Sequence, residues 1–446
     1  MVDFRVLAAR LLRADAISSR LLFLLKNGLL MTVANLLGGL LGYAFQIFMG
    51  RAMGSRDFAI FSATMALTMF LSAPLGALLL FLSRKVSELI VVSGRSVLLC
   101  FYWSVLLRTG LVTVILLLGL VCSANYFAEF LKIPTVLDVY VLGLILAFMA
   151  VATVNAAFFQ GQMFFGLLAF LGVLSVALKL VFSLGFVKAD FGVTGGLFGV
   201  LLSVIIVWGL GVLENRRRIL SSTYKYDEPK VPASDNNGTR RIVSILIANL
   251  AFVAMTQLDM VLVNKFFDSD EAGIYAAASV LGKAVLYLPG GIVTVLFPLV
   301  SEDHLRKKSS AKMLLYAVAA TIFGCGAAAL VYSIWGQYVV DVAFGGRYSG
   351  AGQLLGWYGW AMLPMALVMV AEYFLIAKGR VLFAWLFMIF APLQIVAISF
   401  WHSELWMIIC VLGVGGICLS ILGYWLLWAE YKSGQTMGIG IGGRFK

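Results

Sequence analysis

Twelve long apolar stretches constrain this chain more than any other feature of its sequence. A helix rises about 1.5 Å per residue, so about 20 apolar residues span the roughly 30 Å hydrocarbon core of a bilayer. Hydrophobic residues make up 62% of the sequence and charged residues only 12%, whereas a soluble domain has about 25% charged residues. The alternating segments of about ten residues that build membrane β-barrels are not seen. The sequence therefore predicts an all-α polytopic membrane protein with about twelve transmembrane helices.

The basic residues indicate how these helices are oriented. The net charge is +12, and 24 of the 33 Lys and Arg residues fall on one side of the predicted spans against six on the other. Cytoplasmic loops of membrane proteins carry such an excess of positive charge. We therefore expect a multi-pass membrane protein with both termini in the cytoplasm. The basic balance is explained by topology and by contact with membrane lipids, and a nucleic-acid partner is not expected.

An internal repeat divides the chain into two halves. Residues 34–88 recur at 248–302, exactly in register and 214 residues further on, and both copies begin with Ala-Asn-Leu and end with Val-Ser-Glu. Repeats of whole hydrophobic hairpins are typical of secondary transporters. Since six spans precede the second copy, the two copies have the same orientation. This predicts two six-helix lobes related by an axis along the membrane normal, with a cavity between them.

The predicted spans and domains follow from this pattern. Charge, two prolines and an Asn-Asn-Gly turn mark a solvated linker between the lobes. The spans are residues 28–50, 57–82, 97–122, 137–160, 165–187, 192–213, 242–264, 272–298, 313–336, 352–376, 381–400 and 404–429. The domains are a basic cytoplasmic N-terminus (1–26), an N-terminal six-helix lobe (27–213), a cytoplasmic linker (214–241), a C-terminal six-helix lobe (242–429) and a cytoplasmic tail (430–446).

Two motifs carry a family resemblance. The stretch QLDMVLVNKFFDSDEAGIYAAASVLGKAVLYLPGGIVTVLFPLVSE at 257–302 and its partner GRAMGSRDFAIFSATMAL at 50–67 resemble the polysaccharide transporter (O-antigen flippase, Wzx-like) family. That family belongs to the multidrug/oligosaccharidyl-lipid/polysaccharide (MOP) exporter superfamily. Ala59 and Phe61 stand where the family usually has Gly and Tyr, which Gly273 and Tyr275 keep in the second copy. The resemblance implies a MATE/MurJ-like fold, alternating-access movement of lipid-linked sugars and a location in the bacterial cytoplasmic (inner) membrane.

Three basic residues inside the predicted spans are candidates for substrate binding. They are Arg108, Lys179 and Lys283. A charge within a bilayer is costly and marks a cavity or pathway by default. Ammonium and guanidinium groups bind phosphate oxygens directly, so a cationic cavity suits a pyrophosphate-linked glycan. In the alternative interpretation the lysines pair with buried carboxylates or snorkel, and Arg108 lies at the interface if its span begins later.

Two carboxylates inside the spans, Asp259 and Glu372, leave two roles open. A shielded carboxyl can exchange H⁺ or Na⁺ during transport, or it can form a structural ion pair. The candidate partners are Lys265 or Lys283 for Asp259, and Lys378 or Arg380 for Glu372. In the repeat, Asp259 corresponds to Phe45 and Lys283 to Met69, so the repeated hairpin does not itself require either charge.

The remaining residues favour a transporter over an enzyme. The five cysteines have no CxxC spacing and the two histidines are isolated, so we expect no metal site, no catalytic residues and no cofactor beyond a coupling ion. The sequence hypothesis is a flippase that moves an undecaprenyl-pyrophosphate-linked oligosaccharide to the outer leaflet. Its partners would be that lipid-linked substrate and other polysaccharide assembly proteins. The alternatives are a MATE-type cation-coupled drug or metabolite antiporter, and a non-transporting scaffold of a glycan synthesis complex.

Overall fold

The computed structural model describes the chain at residues 28, 30–92, 95–133, 135–221, 236–287, 289–291, 311–377 and 382–438. The whole predicted N-terminal segment (1–26), the middle of the predicted linker and the end of the tail lie outside these residues. So do Lys378 and Arg380, the partners predicted for Glu372.

Helices account for the regular structure of the described residues. Eleven helical segments in them are long and apolar enough to cross a membrane, and a shorter helix occupies the eleventh predicted span. The prediction of an all-α fold with about twelve membrane helices is confirmed. The helices are α1 (Leu30–Ala52), α2 (Ser55–Ser72), α3 (Pro74–Val92), α4 (Arg95–Cys122), α5 (Ala124–Phe130), α6 (Val136–Gly161), α7 (Phe165–Lys188), α8 (Gly192–Ser221), α9 (Asn236–Phe266), α10 (Ser269–Lys283), α11 (Ala311–Phe344), α12 (Ala351–Ala377), α13 (Leu382–Phe400) and α14 (Leu405–Gly438).

The helices extend beyond the predicted spans on both sides of the linker. Helix α8 continues eight residues past the predicted lobe boundary at 213, and α9 begins inside the predicted linker at Asn236. Arg218 and Glu214, one helical turn apart, form an ion pair at 2.8 Å on this extension of α8. The drop in hydrophobicity therefore marks where the predicted membrane span ends, while the helix itself continues.

The internal repeat is visible in where helices begin. Helix α2 starts at Ser55 and α10 starts at Ser269, 214 residues later, and each follows one residue of extended backbone. Within the first half α6 packs against α3, α4 and α8, and within the second half α12 packs against α10, α11 and α14. The halves meet where α2 packs against α9 and α10. We refer to α1–α8 as the N-terminal lobe and to α9–α14 as the C-terminal lobe.

Hydrogen bonds between the lobes close one end of the molecule, at the end of α1 and the start of α2. We call this the closed end, and the predicted topology places it outside the cell. The donors are side chains and the acceptors are main-chain carbonyls. They join Arg51 Nε to Ala343 O (2.6 Å), Arg51 Nη2 to Val342 O, Arg347 Nη1 to Arg51 O (3.1 Å), Tyr348 Oη to Gly50 O (2.8 Å), Lys132 Nζ to Phe267 O (2.7 Å) and Asn264 Nδ2 to Leu131 O (2.5 Å).

Gly273 allows α10 to approach α2 closely at this end. A Cβ atom at Gly273 would lie 2.1 Å from Ser55 Oγ and 2.5 Å from the main-chain oxygen of Ser55. The Ser55 hydroxyl donates a hydrogen bond to Asp270 O at 3.3 Å across the same contact. The obstructing atoms include backbone, so a side chain at position 273 cannot be accommodated by a rotamer change alone.

We predict that Gly273→Ala destabilises the protein by about 1–3 kcal/mol, because the added methyl group overpacks the contact between the lobes. Gly172→Ala in α7 is the matched control, since a Cβ there meets no atom within 4 Å. It should be neutral or stabilising by up to about 1 kcal/mol. Thermal unfolding of the detergent-purified variants measures both. Equal unfolding temperatures for the two variants would contradict the close contact.

Candidate functional site

A cavity of about 460 Å³ lies between the two lobes. It is lined by residues of α1, α2, α6, α7 and α8 from the N-terminal lobe and of α9 and α10, with the turn that follows, from the C-terminal lobe. Cavities of roughly 300–1,000 Å³ hold small ligands or the head of a larger one. The predicted cavity between the lobes is therefore present in the structure.

The internal repeat supplies matching positions on the two walls of this cavity. Seven pairs of lining residues are 214 positions apart, so equivalent positions of the two copies face the same space. The pairs are Tyr43 and Gln257, Gln46 and Met260, Ser62 and Ala276, Met65 and Ser279, Ala66 and Val280, Met69 and Lys283, and Ser72 and Leu286. The cavity thus lies at the approximate symmetry axis of the repeat, with different chemistry on its two walls.

Lys179 reaches the cavity from α7. It lies nine residues before the end of the helix at Lys188, or about 13 Å along the axis, which places it deep among apolar helices. Its Nζ atom lies 4.3 Å from the centroid of the Phe45 ring, a cation–π contact. No carboxylate of the described residues forms an ion pair with it.

Lys283 reaches the cavity from the end of α10 and is held by Asp259. Lys283 Nζ lies 3.1 Å from Asp259 Oδ1. The second carboxylate oxygen, Oδ2, accepts hydrogen bonds from the hydroxyls of Tyr275 (2.9 Å) and Tyr358 (2.5 Å). Asp259 is fully buried, so these three donors replace the water that a carboxylate needs. Of the two partners that the sequence left open, Lys283 is the one in contact. Lys265 lies over the Phe130 ring instead.

The structure does not bring Arg108 to this cavity. Arg108 is exposed on the outer surface of α4, between Leu107 and Leu111, which are 70% and 63% exposed. It is not among the lining residues. Because α4 is apolar around its whole circumference, its sequence did not indicate which face turns inward. The two lysines share a site and Arg108 lies outside it.

Glu372 is buried on α12, away from the residues that line the cavity. The ion pairs of the described residues do not include it, and its predicted partners Lys378 and Arg380 lie outside them. Its two predicted roles, ion coupling and a structural ion pair, stay predictions.

The lining residues give this cavity a basic character. Within the described part of the chain they include Lys179 and Lys283 and no Asp or Glu, and serines, glutamines and tyrosines supply the other polar groups. Asp259, which pairs with Lys283, is not among the lining residues, and its oxygens accept from Lys283, Tyr275 and Tyr358. Such a site favours an anionic ligand that also carries hydroxyl groups.

Comparison with known proteins identifies the family. Residues 99–352, more than half of the chain, match the sequence profile of the polysaccharide biosynthesis proteins. The chain belongs to the polysaccharide biosynthesis protein family. A comparison with curated proteins gave no match.

The fold of this chain is similar to the folds of three solved structures, a flippase and two transporters. The lipid II flippase MurJ in an inward closed conformation is 12% identical with a TM-score of 0.68, covering 90% of this chain and 87% of that chain. A mutant of the MATE transporter VcmN of Vibrio cholerae is 15% identical with a TM-score of 0.60, covering 92% and 97%. A multidrug resistance MATE transporter of the MOP superfamily in an inward-facing conformation is 12% identical with a TM-score of 0.63, covering 88% and 94%.

Sequence reasoning did not select four residues of the site: Gln46, Ser62, Tyr275 and Tyr358. The Ser62 hydroxyl and the Gln46 side-chain oxygen are buried at the cavity wall without a hydrogen-bond partner in the described part of the chain. A polar residue inside an apolar span was the available signal for both. Tyr275 stood in the family motif, but nothing in the sequence connected Tyr358 with Asp259, 99 residues earlier.

We predict strong coupling between Asp259 and Lys283. Lys283→Gln leaves a fully buried carboxylate without its cation and should lower the free energy of unfolding by about 3 kcal/mol. Adding Asp259→Asn removes the stranded charge, so the double variant should be more stable than Lys283→Gln alone. Thermal unfolding of the two single variants and the double variant gives the coupling. Additive effects of the two substitutions would show that the pair does not act as a unit.

Proposed function

We propose that this family member is a flippase for an undecaprenyl-pyrophosphate-linked oligosaccharide, moving it from the cytoplasmic to the outer leaflet of the bacterial cytoplasmic membrane. The observation that carries the proposal is the basic cavity between the lobes, with a lysine from each lobe and no acidic lining residue among those described. Family membership among polysaccharide biosynthesis proteins supports a saccharide substrate. The name of the structurally similar MurJ, a lipid II flippase, supports a lipid-linked one.

The cavity chemistry matches the two parts of such a substrate. Lysine ammonium groups form charge-assisted hydrogen bonds with phosphate oxygens, and serine, glutamine and tyrosine side chains bind sugar hydroxyls. The polyprenyl chain needs no protein site, because it stays in the hydrocarbon of the bilayer. We propose that the phosphate-binding region is the part of the cavity between Lys179 and Lys283, and that Arg108 lies outside it on the lipid-facing surface.

Alternating access requires the closed end to separate. The hydrogen bonds that close it join the lobes through a few side chains, such as Arg51, Lys132 and Tyr348. In the proposed cycle these bonds break while another contact between the lobes forms on the cytoplasmic side. For coupling to H⁺ or Na⁺ we propose Glu372 ahead of Asp259, since both oxygens of Asp259 already accept from Lys283, Tyr275 and Tyr358.

The cavity chemistry argues against an antiporter for cationic drugs. A cationic compound would have to approach Lys179, which forms no ion pair with a carboxylate of the described residues, and no carboxylate lines the described cavity to bind the compound. If the protein instead served as a scaffold, substitutions in the cavity would leave glycan display intact while changes at 214–241 would abolish it.

We predict that Lys179→Ala with Lys283→Ala reduces surface glycan display at least tenfold, because one charge-assisted contact of an ammonium group with phosphate contributes about 1.5–3 kcal/mol to binding. In a deletion strain carrying this variant, lipid-linked glycan should accumulate and stay inaccessible to an impermeant lectin. Lys188→Ala, an exposed cation at the end of the same helix α7, is the matched control and should restore display.

The same strain separates the alternatives. Normal display in the complete absence of the protein, together with altered resistance to cationic compounds, would refute the flippase and favour the antiporter. If the variant with both lysines replaced showed wild-type display while the deletion strain did not, the phosphate-binding region would be refuted. The flippase proposal itself would be unaffected.

A further inference from the structure

The two repeat copies place different residues at one equivalent position beside the cavity. Phe45 in α1 and Asp259 in α9 are 214 residues apart, and each contacts a lysine that lines the cavity. Phe45 faces Lys179 of α7 at 4.3 Å from ring centroid to Nζ. Asp259 faces Lys283 of α10 at 3.1 Å. These lysines are not repeat equivalents of each other, so the equivalent position contacts a lysine of a different helix in each lobe.

The equivalent position gives the two lysines different partners. The carboxylate of Asp259 forms an ion pair with Lys283 and offsets its charge. An aromatic ring stabilises a cation through its quadrupole but carries no net charge. Lys179 therefore keeps its positive charge uncompensated among the described residues. A charge so deep among apolar helices calls for an anionic partner, and the cavity is where that partner can enter.

Unsatisfied hydrogen-bonding groups lie on the same wall as Lys179. Ser62 is 7% exposed, and its hydroxyl oxygen and the side-chain oxygen of Gln46 have no partner in the part of the chain that the structure describes. Both residues line the cavity. Their repeat equivalents on the opposite wall are Ala276 and Met260, which have no polar side-chain atom to satisfy. Buried polar groups without a partner are costly, so their presence points to a ligand.

The network around Lys283 on the C-terminal wall, in contrast, has its partners within the protein. Lys283 and both tyrosines are bound to Asp259, and the Ser279 hydroxyl donates to Tyr358 Oη at 3.2 Å. An anion could recruit Lys283 only by competing with a fully buried carboxylate. That competition would leave Asp259 without its cation, which is unfavourable in an apolar environment.

We propose that the anionic end of the substrate binds on the wall of the N-terminal lobe, and that Phe45 is the positioning residue that makes it do so. Lys179 binds the phosphate oxygens, the Ser62 hydroxyl donates to one of them, and the Gln46 oxygen accepts from an adjoining sugar hydroxyl. Phe45 holds the ammonium group over the cavity without neutralising it. Asp259, at the equivalent position, holds Lys283 in a structural ion pair. This inference rests on the proposed function, and it assigns the phosphate-binding role unequally to the two lysines.

Binding of undecaprenyl pyrophosphate to the purified full-length protein tests this assignment, with undecaprenol as the uncharged control lipid. Phe45→Asp would give Lys179 the same partner that Lys283 has, and should weaken binding of the pyrophosphate lipid about tenfold or more without changing binding of undecaprenol. Phe45→Trp keeps the cation–π contact and should bind within about threefold of wild type, whereas Phe45→Leu should fall between them. A purely structural role for Phe45 would affect both lipids alike.

Two further variants keep the test independent of how well Phe45→Asp folds. Lys179→Gln should lose about tenfold or more in affinity for the pyrophosphate lipid, whereas joint replacement of Asp259→Asn and Lys283→Gln should cost at most about threefold. Lys188→Gln is the control for general loss of charge on α7. Wild-type affinity in Lys179→Gln, or an equal loss in the Asp259 and Lys283 double variant, would overturn the assignment. If the wild-type protein bound undecaprenyl pyrophosphate no better than undecaprenol, the proposed substrate itself would be wrong.

Discussion

The contact between α2 and α10 joins the two lobes and positions the cavity between them. These helices begin at equivalent residues of the repeat, Ser55 and Ser269, and Gly273 lets their backbones meet without an intervening side chain. From this contact the two helices continue to the cavity, where Ser62 and Ala276 face each other from the two lobes. Close packing at one end and an open space further along are therefore produced by the same pair of helices.

Compensation of charge accounts for the chemistry of that space. Water is scarce among apolar helices, so a charged group needs a partner within the protein or from a ligand. Asp259 has gathered three donors from α10 and α12 and in doing so has fixed the end of α10 against the C-terminal lobe. In the part of the chain that the structure describes, Lys179 contacts an aromatic ring and forms no ion pair with a carboxylate. We therefore interpret Asp259, whose partners lie within the protein, as structural. We interpret Lys179, which lacks an anionic partner among the described residues, as a group that binds a ligand.

The sequence predicted the helices well because span length and hydrophobicity are local properties. The repeat makes one half a template for the other and so predicted two halves with a cavity between them, and a cavity is found there. The sequence could not choose between Lys265 and Lys283 as the partner of Asp259, since the rotation of each helix about its axis is set by packing. It also left open both the depth of Arg108 and the face of the helix on which it lies. The sequence could not predict the contact of Lys179 with Phe45. Lys179 lies outside the repeated segments, so no equivalent residue in the other half indicated a partner for it.

The chemistry of the closed end bears on how such proteins diverge. Every acceptor of the hydrogen bonds that close it is a main-chain carbonyl, among them Gly50, Phe267 and Ala343. A carbonyl is present whatever residue occupies the position, so mutation of the acceptor segments leaves these bonds chemically possible as long as the backbone keeps its path. Only the donors constrain side-chain identity. The acceptor residues of the closed end can therefore change while the hydrogen bonds that join the lobes are kept. This is compatible with the identities of 12–15% between this chain and chains that share its fold.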